Sequence, residues 1–171
     1  AKRDNSRLER LFMRLIDVLL AFPGILLAIL LATALGAGLV PVIIAVAAYS
    51  VPTFARVMRG SVLSVRTREF VEAARAAGAR DSAVLVRHVF LNSFAPVLVY
   101  ATLLMGGAIL TAAALSFLGV GVAPPTPEWG AMISTARTYM RQAPHIILGP
   151  GVAIFVTVLA FNVLGDALRD A

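Results

Sequence analysis

Long apolar stretches alternate with short polar ones along this chain. Three tracts contain no Asp, Glu, Lys or Arg: residues 18–55, 93–127 and 142–165. The first holds 38 residues. As one helix it would measure about 57 Å, against a hydrocarbon core of roughly 30 Å. It is predicted to fold into two spans at Gly36-Ala37-Gly38, with Pro41 opening the second. The apolar part of the second tract, 94–118, suits one span. Beyond it, Gly119-Val120-Gly121-Val122-Ala123-Pro124-Pro125-Thr126-Pro127 cannot continue a helix. The third tract, with His145 near its start, makes one more span. The pattern predicts an all-α, polytopic transmembrane bundle in a single domain over 1–171, with spans at 15–36, 39–58, 94–118 and 145–165. The connecting segments are 59–92 and 119–143. Pro23 is expected to kink the first span at most, since proline is common in membrane helices.

Composition strengthens this picture. Hydrophobic residues make up 60% of the chain and charged residues only 14%. Soluble domains carry roughly 25% charged residues, so too little polar surface is present to cover a globule in water. The chain has no cysteine, which excludes disulfides, zinc–thiolate sites and cysteine nucleophiles.

The net charge of +6 is informative through its distribution. Lys2, Arg3, Arg7, Arg10 and Arg14 precede the first span. Arg56, Arg59, Arg66, Arg68, Arg75, Arg80 and Arg87 lie between the second and third, and Arg169 follows the fourth. Only Arg137 and Arg141 fall between spans three and four. Thirteen of the fifteen basic residues therefore share one side of a four-span topology. That side is expected to be cytoplasmic, with both chain ends on it. The basic balance needs no nucleic acid to explain it. No cleavable signal peptide is expected, because the span after the charged start is too long for an h-region. The chain opens on Ala1 rather than Met, and a longer natural N-terminus is expected.

The segment 59–92 is the most informative polar stretch. Its Ala-rich part, 71–77, favours helix. Gly78 is placed to end that helix in a left-handed conformation, and Asp81 to cap a second one running through Val84, Leu85 and His88. Two short helices joined by a glycine turn would project below the membrane and offer a slim surface to a protein partner. From composition alone, an ordinary loop on the lipid headgroups stays equally open.

Four motifs add a resemblance. Glu72-Ala73-Ala74, then Gly78 after three residues, resembles the EAA loop of bacterial ABC-importer permeases. The wider run 68–79 is similar to the dipeptide, oligopeptide and nickel branch of that family. Residues 115–130, which include Pro124, Pro125, Pro127, Trp129 and Gly130, resemble the external loop of its C-type subunit. Ile16-Asp17-Val18-Leu19-Leu20-Ala21-Phe22-Pro23-Gly24 and the run 160–170 match at the two ends. The resemblance covers the chain from Arg14 onward. It implies an inner-membrane permease subunit for peptides or a related small solute such as nickel. It also implies a second permease subunit, two cytoplasmic ATP-binding subunits and an external substrate-binding protein as partners, with Glu72, Ala73, Ala74 and Gly78 coupling to the ATPases. The family has six spans, so two N-terminal ones are expected to be missing here. Leu91 stands where the family often has proline, and Pro96 is expected to supply part of the bend there.

Individual residues also have plainer readings. Glu72 can be a solvated carboxylate near Arg68 or Arg75. Asp17 is expected at the membrane boundary beside Arg14. Asn162 and Asp166 read as helix-packing and interface groups, and Trp129 and Tyr139 as members of the outer aromatic belt. His88 and His145 lack metal-ligand company, and no cofactor is expected. The sequence holds no phosphate-cradling Gly-rich loop with its Lys, no Ser-His-Asp set and no His-Glu-x-x-His. Any energy for transport is therefore expected from outside the chain. A self-contained secondary transporter or channel normally places ionisable groups in mid-span, and the middles here are almost bare. An intramembrane enzyme is disfavoured by the missing catalytic set.

Overall fold

The computed structural model describes the backbone of residues 2–170 and the side chains of residues 9–170. The side chains of Lys2, Arg3 and Arg7, and all of Ala1, lie outside the described residues. Seven helices form the framework: α1 (Lys2–Ala21), α2 (Gly24–Leu35), α3 (Leu39–Val65), α4 (Glu69–Ala76), α5 (Asp81–Phe117), α6 (Trp129–Ala136) and α7 (His145–Asp170). No strand occurs among the described residues. The all-α transmembrane bundle expected from the sequence is what the chain forms. Helices α3, α5 and α7 are each long and apolar enough to cross a membrane, and a fourth span exists if α1 and α2 count as one.

The first span departs from expectation. Instead of one kinked rod over 15–36, the chain breaks at Phe22 and Pro23, and α1 and α2 meet at 90°. Pro23 has no amide hydrogen, and its ring disfavours helical geometry in Phe22. It serves instead as the N-cap of α2, where its carbonyl accepts from the amides of Leu26 and Leu27. Gly24 then lets α2 pack closely on α3, with the Tyr49 ring 3.3 Å from where a β-carbon would stand. Ala28 and Ala32 continue that contact against Val42 and Ala45, all four buried. Two exposed ion pairs join α1 to α3, Arg56–Asp17 at 2.6 Å and Arg59–Glu9 at 3.1 Å. The partner of Asp17 is thus Arg56 rather than Arg14.

The second cytoplasmic helix expected after Gly78 is not separate. It is the first part of α5, a continuous helix of 37 residues. Asp81 is its first residue rather than its cap, a position held by Arg80 without a side-chain hydrogen bond. Leu91 has the amide hydrogen that proline would lack, so the helix runs through it. Within α5, residues Val84–Phe90 adopt π-helical geometry.

Helices α5 and α7 pack through small residues. A β-carbon on Gly165 would stand 2.6 Å from Thr102 Oγ1 and 3.2 Å from a Leu103 methyl, and one on Gly106 would stand 3.4 Å from Val158. Close backbone approach of this kind drives helix association in lipid, where apolar burial supplies little. Phe54 on α3 meets Tyr100 on α5 edge to face at 5.6 Å. Hydroxyls along the spans fold back onto their own helices: Thr111 Oγ1 donates to Gly107 O (2.9 Å) and Thr157 Oγ1 to Ala153 O (2.7 Å), and Thr33 does the same to Ile29. Large apolar side chains such as Leu30, Val40, Val51 and Phe155 point outward, as a bilayer-embedded surface requires.

Candidate functional site

The candidate residues occupy two regions at opposite ends of α5. At its start stands α4, the Ala-rich helix. One face of α4 is anchored. Val71 is fully buried and packs with Val65 of α3 and Val84 and Val89 of α5, and Ala74 and Ala79 press against the same cluster. The opposite face is bare. Glu69, Glu72, Ala73, Ala76 and Ala77 are exposed, as is Gly78. Glu72 makes no ion pair among the described residues, so neither Arg68 nor Arg75 neutralises it. Of the four expected coupling residues, Glu72, Ala73 and Gly78 face outward and Ala74 helps hold the helix in place.

Gly78 ends α4 as its type predicts. Its φ is +83°. Its amide donates to Arg75 O at 2.9 Å, and the amide of Ala79 donates to Ala74 O at 3.1 Å. These are the two bonds of a Schellman turn, and the apolar contact that accompanies it is Ala79 against the valine cluster.

The external-loop motif lies at the far end. A second Schellman turn closes α5 there: Gly119, φ +82°, donates to Ser116 O (3.1 Å), and Val120 donates to Leu115 O (3.0 Å). The buried Ser116 then accepts from the amide of Val122 at 3.1 Å. The Gly38 amide donates to Gly121 O at 3.0 Å, which ties this loop to the α2–α3 turn. Next comes the proline run, in which Pro124, Pro125 and Pro127 are exposed and the Pro124–Pro125 bond is cis. Glu128 caps α6 by accepting from the amide of Ala131 at 2.8 Å. Gly130 is buried against α5, where a β-carbon would overlap the Ala113 carbonyl. Trp129 and Tyr139 are exposed at this end, and Arg137 lies 5.8 Å from the centre of the Phe117 ring. Pro124, Pro127, Met132, Tyr139 and Ile146 border an apolar cleft of about 480 Å³.

Sequence reasoning named the prolines, Trp129 and Gly130. It missed Ser116, Gly121 and Val71, whose roles depend on partners six or more residues away. Only the second glycine of Gly119-Val120-Gly121 carried a local signal. No cluster of three metal-ligating side chains occurs among the described residues.

A family model described as "Binding-protein-dependent transport system inner membrane component" matches residues 1–171. The glutathione transport system permease protein GsiD of Shigella flexneri is 53% identical over 163 residues, covering 95% of this chain and 54% of the relative. The proteins of the same name from Escherichia coli and Shigella sonnei match to the same extent. The chain spans about half the length of the curated relatives it matches.

Proposed function

The chain belongs to the family of binding-protein-dependent transport system inner membrane components, and from that premise we propose that it is the C-terminal membrane core of an ABC-importer permease subunit. The cargo is a small peptide of the glutathione class, which the name of the relatives favours over nickel. The subunit works beside a second permease, takes its energy from two cytoplasmic ATP-binding subunits, and receives substrate from an external binding protein. Its basic end, with α4, faces the cytoplasm, and the proline-rich loop faces outward.

One observation carries the reading. Helix α4 is fixed to two spans by Val71, yet presents Glu72 and Ala73 unpaired and exposed. A helix held on one side and bare on the other is suited to transmit a push from a partner into the bundle. Glu72, in the first turn of α4, is stabilised by the helix dipole and can meet a cation on the ATPase. The small side chains of Ala73, Ala76 and Ala77 let the helix enter a groove. The outer loop, braced by Ser116 and Gly130, forms a fixed rim for the binding protein.

The test is reconstitution of the subunit carrying this chain with its partner permease, ATPases and binding protein in proteoliposomes. ATP enclosed in right-side-out vesicles, with binding protein and glutathione in the outer medium, should drive glutathione uptake, and omission of the ATPases should abolish it. Uptake driven by an ion gradient without ATPases would replace this reading with a secondary transporter.

A further inference from the structure

The stretch Val84–Phe90 is π-helical over seven residues. Such geometry is rare, mostly confined to single turns, and concentrated at functional positions. Here it lies between the buried face of α4 and the membrane-crossing part of α5. Its two buried residues, Val84 and Val89, both pack in the cluster that holds Val71. In an α-helix, residues five apart point about 140° away from each other, so the two valines would not share a face. The wider i→i+5 winding returns them to one side. The seat of α4 thus depends on the π geometry.

The two ends of the segment are held differently. At the C-terminal end, Asn92 Nδ2 donates to His88 O (2.6 Å) and Ser93 Oγ to Val89 O (2.7 Å). Ser61 of α3 donates to Ser93 O at 3.0 Å, which pins this end to a neighbouring span. Among the described residues, the N-terminal end is held by the Val84 amide, which donates to Arg80 O at 3.0 Å, and by the valine cluster. Leu85, Val86 and Phe90 are exposed. Among the described residues the outer side carries the Phe90–Phe94 ring contact at 5.9 Å, which lies within α5 itself, so a change of pitch meets little resistance there.

We propose that Val84–Phe90 is a yielding joint between α4 and the α5 span. When α4 is displaced, the segment relaxes toward α geometry and Val84 turns off the shared face. The helix bends its course there without breaking, while residues from Leu91 onward stay fixed to α3. This rests on the importer reading, which supplies the displacing force.

Deletion of the exposed Leu85 tests the joint. It places Val84 and Val89 four apart, on one face of an ordinary α-helix, so α4 keeps its seat while the π winding is removed. The deletion variant should bind the ATPases as the parent does and lose ATP-driven uptake. Uptake at the parent level would overturn the joint. A second measurement serves if the variant does not assemble: spin labels on cysteines introduced at Arg75, exposed on α4 beside the docking face, and at Leu98 in the otherwise unchanged subunit. The distance between them should shift between nucleotide-free and ATP-bound transporter, and an unchanged distance would also overturn the proposal. Absence of ATP-driven uptake in the parent itself would instead remove the importer reading.

Discussion

Gly130 on α6 lies against the Ala113 carbonyl of α5 so closely that no β-carbon fits between them. The contact fixes the short helix α6 to α5, the longest helix. Gly130→Ala should therefore force the two helices apart, at a cost of order 1–3 kcal/mol for an overpacked site. The melting temperature in detergent should fall by about 2–4 °C for each kcal/mol. Gly107→Ala, where a β-carbon meets nothing within 4 Å, should leave it unchanged. Equal melting of the two variants would contradict the geometry.

Gly78→Val places a branched side chain at a φ of +83°, which costs of order 1–2 kcal/mol. The turn after α4 should distort while the spans stay inserted. Membrane yield should match the parent, and ATPase co-purification and uptake should both drop. Ala79→Ser, just past the turn, should do much less. Parent-level uptake by Gly78→Val would return this region to a passive linker.

Ser116→Ala removes the acceptor for the Val122 amide at a buried position. An unsatisfied buried amide costs about 1–3 kcal/mol. Amide exchange at Val122 should accelerate, with a smaller change at Gly119, whose bond runs to the Ser116 backbone. Unaltered exchange at Val122 would show that water takes over the role.

The orientation is open to direct chemistry, because the chain has no cysteine of its own. A single cysteine at Ser134 should react with an impermeant maleimide in intact cells. One at Ser82 should react only after the membrane is opened. The reverse pattern would invert the topology.

The all-helical, membrane-spanning character was legible in the sequence because lipid imposes long, uncharged tracts that little else produces. The behaviour of individual prolines was not. Pro23 breaks the chain by 90°, whereas Pro52, Pro96 and Pro150 lie inside continuous helices. The residue type is the same, and the difference lies in the surroundings. Gly24 follows Pro23 and lets α2 lie directly on Tyr49, a contact made across 25 positions of the chain. The glycine turns at Gly78 and Gly119 were partly readable, since a left-handed helix end calls for glycine. The winding of Val84–Phe90 was hidden, because the spacing of Val84 and Val89 acquires meaning only once Val71 is known to stand opposite both. Asp81 was misjudged as a cap for a related reason: a short polar side chain marks the start of a helix but does not fix its first residue.

The threonines that bond to their own helices alter how this surface meets its solvent. Thr33, Thr111 and Thr157 each direct the hydroxyl hydrogen at a carbonyl one turn back. With the hydrogen so engaged, Thr33 and Thr157 meet acyl chains more nearly as valine does, while the Thr111 oxygen faces the Tyr49 hydroxyl at 3.2 Å within the bundle. Hydropathy sums that score threonine as polar therefore understate how readily these segments partition from water into the bilayer.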